Sequence, residues 1–114
     1  MSVATLPKPA ATSRSAALPD ETFEVVLTGT VTARAEGRTL YLCEVHQAGL
    51  FQSRGNAAAD LERRLHVFCP KQLFPFLREA VANLVIKGGF PPVVITPMRF
   101  DELYTSIKQP KAQV

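Results

Sequence analysis

The hydrophobic period of this chain changes once, from two residues to about three and a half, and the change falls at Arg54-Gly55-Asn56. Upstream, residues 22–35 (TFEVVLTGTVTARA) place Phe23, Val25, Leu27 and Val31 on one parity. Glu24, Thr28, Thr30 and Thr32 take the other, with only Val26 out of step. Successive side chains of a strand point to opposite faces, so this is a half-buried strand, and its β-branched residues suit one. Residues 38–47 (RTLYLCEVHQ) repeat the pattern, with Tyr41, Cys43 and Val45 on one face and Leu42, Glu44 and His46 on the other. Glu36-Gly37 between them is a turn signal, and so short a link predicts an antiparallel hairpin. Ala48-Gly49-Leu50-Phe51 either prolongs the second strand past a bulge or begins a short third one.

Downstream the spacing is helical. Ala57, Leu61, Leu65 and Phe68 recur at intervals of four, four and three, and Pro70 is expected to end or kink that segment. A second helix is expected from Lys71 to Lys87. At about 100° per residue, Leu73, Phe74, Leu77, Ala80, Val81, Leu84 and Val85 share an arc of roughly 140°, while Phe76 and Ile86 fall among the polar residues. One apolar stripe suffices for a helix on a small monomer. Two predict burial on both sides, most simply in an oligomer. Gly88-Gly89 stops the helix. Residues 90–97 read as extended, their prolines suiting an edge or a loop. Residues 100–107 read as a short amphipathic helix with Asp101 and Glu102 in its first turn, where the helix dipole favours acids.

A chain of 114 residues holds one domain. Its 46 % apolar and 20 % charged composition excludes a disordered charged tail, a coiled coil and a collagen-like chain. No run reaches the ~18 apolar residues of a membrane span, and the N-terminus has no continuous apolar stretch of a secretory signal. Residues 1–21 are read as a flexible or extended arm, since Pro7, Pro9 and Pro19 forbid a regular helix there. Residues 22–108 form the domain, and 109–114 are a polar, frayed tail. The net charge of +3 is dispersed along the chain rather than gathered on one face, so no nucleic-acid partner is expected.

The catalytic inventory is thin. Cys43 and Cys69 could pair with His46 or His66, but nothing flanks them that would lower a thiol pKa, and two cysteines make no disulfide framework. Cys43-x-x-His46 and His66-x-x-Cys69 have the spacing of a zinc set. Positions 43 and 46 nevertheless fall on opposite faces of the expected strand and cannot share one ion without a bulge. Gly88-Gly89 follows a helix, whereas a phosphate-cradling loop precedes one. Asp20-Glu21 and Asp101-Glu102 are turn or cap acids. No enzyme, metal or cofactor is expected. A binding role remains, with Phe23, Tyr41, Phe51, Phe90, Phe100 and Tyr104 as its apolar material beside open strand edges.

Several phrases in order carry a resemblance. They are Glu24-Val25-Val26-Leu27 with Thr30-Val31-Thr32-Ala33, then Leu42-Cys43-Glu44-Val45-x-Gln47-x-Gly49-x-Phe51. Cys69-Pro70-x-x-Leu73-Phe74-Pro75-x-x-Arg78-Glu79 follows, then Gly88-x-Phe90-Pro91, and finally Pro97-x-x-Phe100-Asp101-x-Leu103. Over roughly residues 20–109 this ordered set resembles the SecB family of protein-export chaperones. The form is short, without the family's additional N-terminal strand and acidic tail.

The resemblance implies an α+β fold: an antiparallel sheet packed with one long helix and a short C-terminal helix. It implies a cytoplasmic homotetramer, a dimer of dimers, without enzymatic activity, nucleic acid or membrane insertion. Such a protein holds unfolded secretory precursors and passes them to the SecA motor. Client-binding positions would be Tyr41 and Tyr104, with Phe23 and Phe51. The SecA-contacting positions would be Leu42 and Glu44. The oligomer interface would take Cys43, Val45 and Gln47 on the opposite parity, together with Leu77, Val81 and Leu84. A specialised relative serving one client, such as the antitoxin of a toxin–antitoxin system, is the alternative.

Overall fold

The computed structural model describes residues 8–55, 57–93, 95, 99 and 100. Three strands, β1 (Lys8–Leu18), β2 (Thr22–Ala35) and β3 (Arg38–Gln52), form one antiparallel sheet in the order β1-β2-β3. The β2–β3 hairpin turns at Glu36 and Gly37, which both adopt positive φ (53° and 77°). That pair of angles matches the right-handed twist of the flanking strands. Ala48 to Gln52 prolong β3 in unbroken register, ending with Thr22 opposite Gln52. The one irregularity lies at the other end, between Ala33 and Arg34.

Within the expected flexible or extended arm, Lys8–Leu18 pair with β2 as the edge strand β1. Its prolines sit at its margins, Pro9 near the start and Pro19 just beyond the end, so the interior can pair fully with β2. It lacks an alternating pattern because the helix covers little of it: among its residues only Ala11 and Ser13 are half-buried.

The odd-numbered face of the sheet is covered by a helical segment. It starts as α1 (Ala58–Arg63), passes through a π-helical turn at Arg64–Phe68 and continues as α2 (Cys69–Lys87). Pro70 does not end it. In a regular α-helix the Pro70 ring would meet the carbonyl four residues back. The wider turn just before it, closed by the Cys69 N–H donating to the Arg64 carbonyl five residues earlier, carries the chain past. The extra residue also rotates the helix face, so Val67 and Cys69 are buried while Phe68, expected on the apolar stripe, is exposed.

Val25, Leu27 and Val31 of the sheet and Leu73, Phe74, Leu77, Val81 and Val85 of α2 form the core. Two glycines let the helix settle this closely. A Cβ at Gly29 would lie 2.6 Å from Leu77 Cδ2, and one at Gly49 2.8 Å from Leu73 Cδ2. Ile95 and Phe100 join the same core, with the Phe100 ring 6.1 Å from that of Phe74. Phe100 is therefore spent on packing rather than available for binding. The rest of the expected C-terminal helix, and the tail, lie outside the described residues.

Candidate functional site

The two faces of β3 present different chemistry. On the helix side, Tyr41 packs against Phe90 with ring centroids 4.7 Å apart. A helix-capping motif delivers Phe90 there. The Gly89 N–H donates to the Ile86 carbonyl and the Phe90 N–H to the Val85 carbonyl, with Gly89 at φ 90°. This left-handed glycine cap reverses the chain at the end of α2 and turns Phe90 onto the sheet. Tyr41, Phe90, Leu84, Val85 and Gly88, with Leu42, Cys43 and Glu44 along the strand edge, line a hollow of about 330 Å³ beside the outer edge of β3. Burial, then the neighbouring Cys43, pushes the Tyr41 hydroxyl above its ordinary pKa. It stays neutral at physiological pH, as suits an apolar contact with one polar tip.

Phe23 and Phe51 face each other across β2 and β3. They stand ten residues along the strand from Tyr41, about 33 Å away. The three described aromatic positions thus fall at two separate places, Tyr41 at one and the Phe23–Phe51 pair at the other, and Tyr104 lies outside the described residues. Phe90, Leu84 and Gly88 complete the hollow around Tyr41. Of these, Phe90 is visible in the sequence as apolar material, but its pairing with Tyr41 depends on the cap.

On the uncovered, even-numbered face, Leu42 is 66 % exposed and Leu50 69 %. Between them Glu44 Oε2 lies 2.7 Å from His46 Nε2, and His46 Nδ1 lies 2.8 Å from the Thr28 hydroxyl on β2. Leu42 and Glu44 therefore share one open face, with the carboxylate steadied by its neighbour two residues on.

The interface positions divide. Cys43, Leu77 and Val81, expected at contacts between subunits, are buried in the chain's own core. Val45 and Gln47 are half-buried. Leu84, at the end of the helix beside β3, is 48 % exposed, and Phe76 and Ile86 on the outer side of α2 are exposed as their position off the apolar arc requires. Cys43 and His46 point to opposite faces of β3 and do not converge. Burial raises the Cys43 thiol pKa and pushes that of Cys69 up to about 11 against the lowering effect of Arg64. Both are held as thiols, poor nucleophiles and poor metal ligands.

The sequence matches the family described as preprotein translocase subunit SecB over residues 10–111. This chain belongs to the SecB family. A protein-export protein SecB of Halorhodospira halophila is 52 % identical over 101 residues, covering 89 % of this chain and 58 % of that protein. Its counterpart in Chromobacterium violaceum is 47 % identical over 96 residues, covering 84 % of this chain and 64 % of that one. The chain thus spans somewhat over half the length of these SecB relatives. A SecB-like chaperone of Mycobacterium tuberculosis, solved in complex with a ChAD peptide from an antitoxin, superposes with a TM-score of 0.72. It is 16 % identical, and the match covers 83 % of this chain and 73 % of that one. The antiparallel sheet with one long helix is therefore the SecB-like fold.

Proposed function

We propose that this protein is a holdase chaperone of protein export. It binds unfolded or non-native polypeptides, keeps secretory precursors competent for translocation, and hands them to the SecA motor. The observation that carries this reading is roughly half identity to protein-export SecB proteins across most of the chain. The surfaces are compatible with it. The Tyr41–Phe90 hollow and the Phe23–Phe51 pair offer apolar area to extended chain without demanding a sequence, as area-driven binding does. Leu42 and Glu44, on the open face, are the positions assigned to SecA. The family's chaperones are not enzymes, and the two buried thiols suit that.

The working form is a cytoplasmic homotetramer, a dimer of dimers, in which Val45, Gln47 and Leu84 contribute to contacts between subunits. Exposed Phe76 and Ile86 support assembly, because apolar groups of that size are costly to leave in water. Among the described residues no helix is long and apolar enough to cross a membrane.

The test is dilute refolding of an aggregation-prone precursor with and without the protein. Suppressed aggregation at stoichiometric tetramer is expected; unchanged aggregation would sink the reading. The M. tuberculosis neighbour with its antitoxin peptide favours one second reading, a chaperone dedicated to a single client. A pull-down returning one small protein rather than many precursors would select it.

A further inference from the structure

We propose that Thr28 and His46 are positioning residues for Glu44. Through one hydrogen-bonded chain across β2 and β3 they hold its carboxylate, still charged, where a basic group of SecA meets it. This rests on the reading of Leu42 and Glu44 as the SecA-contacting positions and adds how the acid is presented.

Thr28 and His46 stand directly opposite each other in the β2–β3 ladder. Glu44 is two residues from His46 and so shares its face. His46 Nδ1 lies 2.8 Å from the Thr28 hydroxyl, and His46 Nε2 lies 2.7 Å from Glu44 Oε2. A neutral imidazole serves both contacts at once. The Thr28 O–H donates to Nδ1, which leaves the ring proton on Nε2 to be donated to the carboxylate.

Thr28 is β-branched and restricted about χ1, and the imidazole is a rigid ring. Glu44 is the one long, flexible member, and the other two hold it. The His46 and Glu44 side chains are 57 % and 53 % exposed, and a pair in that setting adds little stability. Its effect is on order instead. Docking immobilises a glutamate at a cost in entropy, and a glutamate already fixed has less to lose. The donor also suits the task. A lysine or arginine would cancel the charge that a basic partner is to meet, whereas a neutral imidazole fixes the carboxylate and leaves it anionic. Among the described residues no lysine or arginine pairs with Glu44, and Oε1 stays open to a second donor. Leu42, 66 % exposed on the same face, sets an apolar contact beside that charge.

The tests use the full chain at about pH 8.5, where a free imidazole is neutral. The two-bond proton–nitrogen spectrum of His46 should show a proton on Nε2 and none on Nδ1. A proton on Nδ1 overturns the proposal, because that nitrogen then cannot accept from Thr28. His46→Ala should weaken SecA binding about two- to tenfold, what freeing one such side chain costs a contact, and leave precursor holding unchanged. In a Glu44→Ala background the same substitution should cost nothing further, since no carboxylate is left to place. Equal losses in both backgrounds make His46 a direct contact and overturn the positioning role. His46→Gln should recover most of the loss, because its Nε2 stands as many bonds from Cβ as the imidazole Nε2 and can donate to Glu44. His46→Asn reaches only as far as Nδ1 and should not. Equal binding by these two variants overturns the proposal. Thr28→Val keeps the shape, removes the hydroxyl and should also lose affinity; wild-type affinity there breaks the chain. A loss in Glu44→Ala with none in His46→Ala overturns the positioning role and leaves the docking reading standing. Full SecA affinity in Glu44→Ala overturns both.

Discussion

Gly29 lies directly beneath Leu77. A side chain at 29 would place its Cβ 2.6 Å from Leu77 Cδ2, closer than real Cβ atoms come. Leu77 is 1 % exposed and is held on every side, so it cannot swing away. Gly29→Ala should therefore destabilise the fold by about 1–3 kcal/mol, the usual cost of overpacking, despite the better intrinsic propensity of alanine. Leu77→Ala in the same protein should cost about 2–5 kcal/mol by leaving a cavity. Combining them should cost less than the sum, because each relieves the other's defect. Chemical denaturation of the three variants measures this, and strict additivity would show that the two residues do not oppose each other.

The Tyr41–Phe90 contact depends on the left-handed conformation of Gly89. Gly89→Ala places a Cβ where it costs roughly 1–2 kcal/mol, and it loosens the cap that turns Phe90 onto the sheet. Val85, which accepts the Phe90 N–H, is itself a core residue, so melting should fall by roughly 4–8 °C for each kcal/mol lost. Client holding should fall in Gly89→Ala and in Tyr41→Ala alike if the hollow takes client chain. Normal holding in both, with a normal fold by circular dichroism, would move client binding to the Phe23–Phe51 end.

Cys69 gives stability an alkaline limit. Its folded pKa stands near 11, above the ordinary 9.0, because burial disfavours the thiolate. The folded protein then keeps a proton that the unfolded chain releases. That contribution is complete below pH 9 and is lost as pH rises toward 11. Other groups titrate there as well, so the measurement is a difference. Stability of wild type minus that of Cys69→Ala should shrink across this window and stay flat below about pH 8. A difference constant throughout the window would mean that the thiol ionises freely in the folded state.

How much of this is legible in the sequence depends on which residues carry contrast. β2 and β3 are plain because their apolar residues alternate with threonine and glutamate, and the same alternation puts Tyr41 and Leu42 on opposite faces. β1 is not, since Ala10 to Ala17 are small on both parities apart from Arg14, and only two of its residues are half-buried. The helix follows from its spacing, but the same reading expects an end or a kink at Pro70. A π turn is an inserted residue that leaves no compositional mark, and it also displaces Phe68 from the stripe. Leu77 and Val81 look equally suited to a partner or to the chain's own sheet. The close approach permitted by Gly29 and Gly49 buries them against the chain's own sheet, and no sequence pattern marks it. Phe90 can be seen as apolar but not placed, because its direction comes from the conformation of Gly89.

Leu42 offers the cleanest test of the open face. It projects away from the core, 66 % exposed, so replacing it removes little packing. Leu42→Ser should change stability by less than about 0.5 kcal/mol, as surface substitutions do. Leu42 reaches only the strand-edge rim of the Tyr41–Phe90 hollow, while the rings of Tyr41, Phe90, Phe23 and Phe51 belong to the helix side of the sheet. Suppression of precursor aggregation should therefore stay at the wild-type level. Affinity for SecA should drop, by about tenfold if Leu42 is a buried anchor of that contact, the loss expected when a central apolar contact is truncated. Aggregation and SecA binding measured on one preparation separate the two faces. If both fall together, client and motor share one surface, and the division of β3 by parity into a holding side and a docking side fails.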